Sequence, residues 1–547
     1  MRSERALGTL GRFLRRFSFV GIAAGIAVGA LWNGCAGSNT DYNGNIVDGG
    51  YNGDGPPPGS DLTCAKTPDP DVPDSNFVDN NCDGIDGDYT QAIFASPTGD
   101  DTNAGTRETP VKTIAQAIKL AQQQGLPSVY LDKGLYSGSV TMVAGISIYG
   151  GYDSGNLWSR AAANDSQIVG GTTAVTGTNI NKETHLELVS VKSADGTSPG
   201  QSSYGVFIVN SSGPVILGQL KVNSGIGANG LSPTTPADVI TPAAADAPAG
   251  QNGCTGGGCN GGAGSSGGVN TCNGAGVSGG KGGNGNSGGG GSNGFGGSGA
   301  SPGAGGSGGS SGSCFLGLYS GNPGSAGSDG AAGVDGTLGA QPVAVTLANF
   351  TAAGYSPASG GDGKQGTPGS GGGGGGAGGG GSGALTCTPD TGGGGGGGGA
   401  GGCAAAVGLG GGGGGGSFGL YVFKSTVTIN TATIASGQAG NGGNGANGAV
   451  GGRAGNGSAA GGGSVDAAGG GRGANGGKGG NSGAGAGGTG GPSYGIYAQG
   501  AMVTTNSVQA SAGAFGSAGN GGKATLKGVL SQAPAGFVGQ AGPQKFD

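Results

Sequence analysis

The residues best equipped for chemistry lie in a short acidic stretch, Cys64 to Asp88. It carries Asp69, Asp71, Asp74, Asp79, Asp83, Asp86 and Asp88 against a single Lys66. Asp79, Asn81 and Asp83 stand at alternate positions, and Gly84 follows them. Side-chain oxygens in that pattern can converge on one hard cation, and glycine permits the sharp turn the loop then makes. Carboxylates this close repel one another unless a cation neutralises them. The spacing predicts a calcium-type site built from Asp79, Asn81, Asp83, Asp86 and Asp88.

Asp79-Asn80-Asn81-Cys82-Asp83-Gly84 follows the pattern D-x-N-x-D-G, the first half of an EF-hand-type loop. The acidic residue expected at loop position 12 is replaced by Thr90, so the complete hand is absent. The segment resembles the calcium repeats of thrombospondin type 3 and dockerin modules. Asn81-Cys82-Asp83-Gly84-Ile85-Asp86-Gly87 also resembles a segment recurrent in glycine-rich myxobacterial surface lipoproteins.

The nine cysteines are Cys35, Cys64, Cys82, Cys254, Cys259, Cys272, Cys314, Cys387 and Cys403. Cys35 ends an export signal. Arg2, Arg5, Arg12, Arg15 and Arg16 precede an apolar run, Phe17 to Leu31, too short for a span of about 20 residues. Gly34 before Cys35 resembles a bacterial lipobox, although Trp32 and Asn33 depart from the usual Leu-Ala/Ser. The resemblance implies a lipidated Cys35 and a membrane anchor, hence an exported protein of the outer membrane or cell surface. Removing Cys35 leaves an even set, as an oxidising compartment would favour. Cys64 and Cys82 flank the acidic segment and are the natural first pair. The six from Cys254 to Cys403 allow 15 connectivities. Cys254-x4-Cys259 lacks zinc spacing, and the chain holds one histidine, so these read as loop staples.

Catalytic patterns do not assemble. Asp100, Asp101, Glu108, Asp132, Asp153, Asp165, Glu183, Glu187 and Asp195 form no acidic ladder of the kind glycosidic acid–base chemistry requires. His185 alternates within Thr184-His185-Leu186-Glu187-Leu188 and reads as an exposed strand residue. Gly371 to Gly376 lacks the Lys-Ser/Thr of a phosphate loop. A net charge of −6 with 23 thinly scattered basic residues argues against a nucleic-acid footprint. The expectation is no enzyme.

The elements that must carry these residues divide the chain. Residues 1–35 are the signal peptide and lipobox, 36–61 a Gly/Asn/Pro/Asp tether, and 62–90 the acidic module. Residues 91–230 hold the only conventional core. Ile114, Ala117, Ile118 and Ala121 recur at helical spacing and predict a helix over 111–124, stopped by Gly125 and Pro127. Short β-branched runs follow, centred on Val129, Ile148, Ile168, Leu188 and Ile208. Their spacing near 20 predicts solenoid coils capped by the helix. Ser96 to Thr106, Pro110 to Ile118, Tyr149 to Asp153 and Trp158 to Arg160 resemble the start of right-handed parallel β-helix domains of bacterial surface lipoproteins, a likeness specific for fold and silent on activity.

Glycine makes up 148 of 547 residues, roughly four times ordinary usage. It is concentrated in 231–416 and 437–492. Ser203-Tyr204-Gly205-Val206-Phe207, Ser417-Phe418-Gly419-Leu420-Tyr421 and Ser493-Tyr494-Gly495-Ile496-Tyr497 share one pattern. The latter two units align at an offset of 76, pairing Val427 with Val503 and Asn430 with Asn506. Residues 417–436 and 493–547 therefore read as further coils, with glycine-rich, partly irregular insertions between them. Gly-x-x spacing at Gly437, Gly440 and Gly443 suits polyglycine II helices packed side by side. The fold class expected is all-β: a right-handed parallel β-helix with an N-terminal capping helix and long glycine-rich insertions. The function expected is a structural or adhesive surface scaffold that contacts surface glycans or matrix. The competing reading is a carbohydrate-binding or polysaccharide-cleaving β-helix protein.

Overall fold

The computed structural model describes residues 66, 67, 70–236, 238, 244–256, 260–313, 321–381 and 389–547. The chain divides into two units, Met1–Pro56 and Pro57–Asp547, and every described residue lies in the second. Cys35, the signal peptide, the tether, Cys64, Cys259, Cys314 and Cys387 lie outside the described residues.

Strands dominate, and Ile114–Gln124 is the one α-helix among the described residues. Its apolar face, Ile114, Ala117, Ile118 and Ala121, is buried. The helix starts three residues later than the periodicity suggests. Val111 is held extended as a bridge to Ala95, and Asp101 accepts the N–H groups of Lys112 and Thr113. Thr113 then caps the helix by accepting from Gln116 N, and Gly125 ends it at φ +70°.

The strands stack in three parallel ladders. The first runs through Ala92–Ala95, Ser128–Asp132, Ser147–Asp153, Thr184–Glu187, Pro214–Gly218, the first half of Thr426–Ala435, and Met502–Ser511. The second joins Gly134–Ser137, Ser166–Val169, Val189–Lys192, Lys221–Asn223 and the second half of Thr426–Ala435. The third joins Val140–Met142, Thr173–Thr178, Ser203–Val209, Ser417–Phe423, Ser493–Gln499 and Ala541–Phe546. Aliphatic side chains at matched positions line one continuous core. Val129, Ile148, Leu186, Leu217 and Ile429 stack on the first ladder, and Val175, Val206, Leu420 and Ile496 on the third. Burying each contributes roughly 1.5–3 kcal/mol. The corners between the first and second ladders stack as well: Leu188, Gln219, Thr431 and Ser507 all adopt φ between 51° and 56°.

The 20-residue spacing does not mark successive coils throughout. Val129 and Ile148 do pair across one coil, but Ile168 lies on the second ladder, Leu188 at a corner and Ile208 on the third ladder. Successive partners on the first ladder are Ile148 with Leu186, Leu186 with Leu217, and Leu217 with Ile429. Corner insertions such as 193–202 lengthen the coils, so the even spacing conflates strands on different faces. The 76-residue alignment holds as written, with Val427 opposite Val503 and Asn430 opposite Asn506.

The glycine blocks are hydrogen-bonded arrays. Segment 371–380 lies at the centre of one. Gly371, Gly374, Ala377 and Gly380 donate to Ser298, Phe295, Ser292 and Gly289. Gly372, Gly375 and Gly378 donate to Gly399, Gly396 and Gly393, and Gly373, Gly376 and Gly379 to Ser328, Ser325 and Asn322. Three further segments donate to its carbonyls, through Gly280 and Gly283, through Gly303, Gly306 and Gly309, and through Ala468, Gly471 and Ala474. Bonding direction thus repeats every third residue, the geometry of a threefold extended helix, and the segment has six neighbours. Residues 369–381 are buried throughout. At Gly376 a Cβ would collide with the Ser307 carbonyl and stand 2.8 Å from Gly308 N. Only glycine lets backbones approach this closely on every side.

Where a segment reaches the surface, short polar side chains replace the missing neighbour. Asn229, Ser232 and Thr235 accept from the N–H groups of Asn441, Asn444 and Asn447, at a sequence separation of 212. Those asparagines accept in turn from Ser517, Asn520 and Lys523, at a separation of 76. The same two offsets relate the strands of the ladders, as in Val215, Val427 and Val503. Coils and glycine array are thus one lattice in common register.

Candidate functional site

The acidic segment folds around its own backbone. Asp79 accepts from Asp83 N and Gly84 N at 3.1 and 2.8 Å, and Asn81 Oδ1 accepts from Asp83 N at 2.9 Å. Asp83 accepts from Ile85 N, Tyr89 N and Asn81 Nδ2. Gly84 and Gly87 take φ of 96° and 104°, which lets the chain double back. Asp79, Asn81 and Asp83 therefore come together in one loop. The other two expected ligands turn away: Asp88 caps the turn Tyr89–Gln91 through Thr90 N, and Asp86 reaches Arg160. Burial raises the Asp83 carboxyl above its ordinary range, with the charge of Asp79 adding to it. Burial raises Asp71 in the same way. Among the described residues no three His, Cys, Asp or Glu side chains are grouped to hold a metal ion.

Asp86 and Arg160 clamp this segment onto the first coils. Arg160 Nη1 donates to Asp86 Oδ2 at 2.9 Å and to the Asp74 carbonyl at 2.7 Å, and its Nε donates to the Gly150 carbonyl. The two side chains are 0% and 2% exposed. Tyr152 donates its hydroxyl to the Asp86 carbonyl at 2.7 Å. The guanidinium lies 5.5–5.7 Å from the ring centres of Phe77, Tyr149 and Tyr152. Ile85, Phe94, Tyr130 and Trp158 complete the cluster. Burial lifts the Asp86 carboxyl to about 6, and Arg160 holds it from rising further. Tyr149, Tyr152, Trp158 and Arg160 are among the residues on which the sequence resemblance rests, and here they make a docking surface for residues 70–91.

The remaining titratable cluster surrounds His185. Its Nδ1 meets Glu187 at 2.7 Å and its Nε2 meets Glu183 at 3.1 Å. Burial lowers its pKa, but the hydrogen bonds it makes to the two carboxylates, together with their charge, outweigh it, leaving a net rise. Both ring nitrogens are engaged on opposite sides, so the imidazole holds charge in place instead of offering a free nitrogen. It is half-buried, not the open strand residue that the alternation implies. The signal for the trio was Glu-x-His-x-Glu, a same-face spacing. Nothing in the sequence signals the 74-residue link between Asp86 and Arg160. Asp132 is fully occupied by Ser96 Oγ, Ser154 N and Ser154 Oγ.

One disulfide joins Cys272 to Cys403 across 131 residues, tying the hairpin of Thr271–Cys272 and Ala275–Gly276 to the array. Cys82 is also disulfide-bonded. Cys254 departs from the expected complete pairing. It is a free thiol whose N–H donates to Thr391 Oγ1, so the turn is held there by hydrogen bonds.

The shared Ser-aromatic-Gly pattern has a packing role. Ser203, Ser417 and Ser493 each meet a second serine hydroxyl at 2.8 Å, from Ser193, Ser224 and Ser436. Outside, Tyr204 stacks on Phe418 and Phe207 on Tyr421, at 5.2 and 5.0 Å. Phe350 and Tyr355 cover the stack, and Tyr421 donates to the Thr351 carbonyl.

No curated protein and no solved structure matches this chain. Residues 97–230, which hold the helix Ile114–Gln124 and the earlier strands of the three ladders, match a family model described as a protein of unknown function, DUF1565.

Proposed function

We propose that this chain is an exported, lipid-anchored surface protein that serves as a rigid structural or adhesive scaffold. Its coils wind as a right-handed parallel β-helix, and the glycine array widens that helix into a stiff body. The observation that carries this reading is segment 371–380. Each of its N–H groups is committed to one of three neighbouring segments, while three more bind its carbonyls. Such a body resists deformation without a large apolar core, which suits exposure outside the cell. No catalytic step is assigned, because the carboxylates of the described clusters are engaged in caps, ion pairs and turns.

In this reading the loop of Asp79, Asn81 and Asp83 binds calcium and stiffens residues 70–91 where they pack against the first strands. Those three residues would supply part of the six to eight oxygens calcium takes. Calorimetric titration of the full chain with calcium, alongside Asp79→Ala and Asp83→Ala, tests this; absence of heat in the wild type removes it.

The scaffold reading is tested on cells. Surface amount is measured by protease shaving, and retention on a matrix-coated flow chamber is compared between wild type, a deletion strain and Gly376→Val. Retention lost in the deletion strain, and lost in the array variant at a surface amount equal to that of wild type, is the expected result. Equal retention in all three strains overturns the adhesive role. Palmitate labelling of wild type against Cys35→Ala tests the anchor.

A further inference from the structure

The array has a direction. Across its outer face each threefold segment donates to the next and accepts from the one before. Gly227 and Gly230 donate to Gln438 and Asn441. Ala439, Gly442, Gly445 and Gly448 donate to Ala514, Ser517, Asn520 and Lys523. Segment 514–523 therefore presents donors toward whatever lies beyond it. The N–H groups of Phe515 and Ala518, one repeat on from Ala439 and Gly442, find no acceptor among the described residues. Ala535 and Val538 repeat the arrangement in the adjoining segment, which accepts from Gly487 and Gly490. At about 3.1 Å per residue these donors recur every ~9 Å.

An open cleft of about 560 Å³ lies on the same layer, lined by Tyr494, Phe515, Gln540, Gln544 and Lys545. Phe515 is 47% exposed. Lys545 Nζ lies 3.2 Å from Gln540 Oε1, 3.6 Å from Asp547 Oδ2 and 5.8 Å from the Tyr494 ring centre. Tyr494 donates to the same Gln540 oxygen. Charge here runs against the rest of the molecule. After Ser493 the sequence carries Lys523, Lys527 and Lys545 against one acidic residue, Asp547, in a chain of net charge −6, and Asp335 from outside this stretch accepts from Lys527 N.

Open backbone N–H groups beside an ammonium group and an exposed aromatic face suit an oxygen-rich, acidic partner with apolar C–H surfaces, while the equally open carbonyls of Phe515 and Ala518 can accept from its hydroxyl groups. We propose that this cleft and the donor row beside it bind an acidic polysaccharide, with uronate or sulfate groups on Lys545 and the free N–H groups and a sugar face on Phe515. The inference names a partner for the proposed scaffold, and the flow-chamber test of that scaffold stands apart from the binding test below.

The test uses the full chain and a fluorescent oligogalacturonate in anisotropy titrations. A sulfated oligosaccharide, a neutral maltooligosaccharide and polyglutamate serve as comparison arms. Lys545→Gln removes the ammonium. Ala518→Pro removes one donor while keeping φ near −75°, which a threefold segment already requires. Unchanged thermal midpoints establish that both variants fold. The expected result is binding of at least one acidic oligosaccharide, weakened about tenfold by Lys545→Gln and about threefold by Ala518→Pro, with none to the neutral sugar. Failure of both acidic oligosaccharides to bind, equal binding of the neutral sugar, tighter binding of polyglutamate, or wild-type affinity in both variants overturns it.

Discussion

Gly376→Ala tests the account of the glycine excess with a single methyl group. The new Cβ would overlap the Ser307 carbonyl and stand 2.8 Å from Gly308 N, below the 3.0 Å floor of real Cβ contacts. Segment 303–309 must then move away from 371–380. It is held there by Gly306 N to Gly374 O at 2.8 Å and Gly309 N to Ala377 O at 2.9 Å. Weakening two such bonds costs about 2 kcal/mol, and forcing volume into a packed interior about 1–3 more. The stiffer unfolded chain returns about 0.4–1 kcal/mol. The net expectation is a loss of about 3 kcal/mol. Gly290→Ala is the control, since its Cβ would meet nothing nearer than Gly309 O at 3.4 Å. Only the unfolded-state gain then remains, and stability holds or rises by up to about 1 kcal/mol. Ala377 shows that the rule is local. A methyl group is accommodated at that one position, where Ala377 is fully buried. Urea unfolding followed by circular dichroism reads both variants. Coincident midpoints for Gly376→Ala and Gly290→Ala would falsify the packing argument.

Other consequences are open to measurement. Asp86→Asn strands the Arg160 guanidinium in a dry site and should cost about 3–5 kcal/mol, seen as faster proteolysis within residues 70–91; unchanged cleavage would deny the clamp its role. His185 has a raised folded pKa, so its stabilisation is complete below the ordinary value of 6.5 and fades as pH rises through the folded value. His185→Gln should flatten that part of the stability–pH curve, and an identical slope in the variant would contradict the Glu183–His185–Glu187 geometry. Cys272→Ser opens a loop of 131 residues and should remove about 4–5 kcal/mol, measured against wild type under non-reducing conditions. Equal stability there would mean the crosslink constrains nothing that the array leaves free.

The sequence made some of this architecture legible because certain signals are local. Helix spacing in Ile114, Ala117, Ile118 and Ala121 names the buried face directly, since one element decides it. The repeated Ser-aromatic-Gly units reveal their pairing because three copies of one environment demand three copies of one pattern. The D-x-N-x-D-G spacing brings Asp79, Asn81 and Asp83 together for the same reason. It misassigns Asp86, whose partner is set by how Trp158-Ser159-Arg160 folds back after the strand Ser147–Asp153. Coil length also escapes local reading. A 20-residue step can be one full turn or two faces of a longer one, and only pairing such as Ile148 with Leu186 decides.

The glycine runs pose the deeper difficulty, because a glycine carries no side chain to announce its neighbours. In a threefold segment every residue faces a different segment, so the information lies in what is absent at six contacts at once. What the sequence does retain is the boundary of the array. Asn441, Asn444 and Asn447 recur every third residue where the segment meets solvent, because an outward N–H needs a short side-chain acceptor from the segment before it. Gly442, Gly443 and Gly445 fill the positions between because backbone lies against them. The β-coils then fix what glycine alone cannot. Val215, Val427 and Val503 lock the offsets of 212 and 76 through side-chain burial, and the glycine segments inherit that register. A glycine array free of such coils would have many near-equivalent alignments, because every slip by three residues restores the same bonds. The apolar coil is therefore what makes one alignment of the glycine lattice more stable than its neighbours.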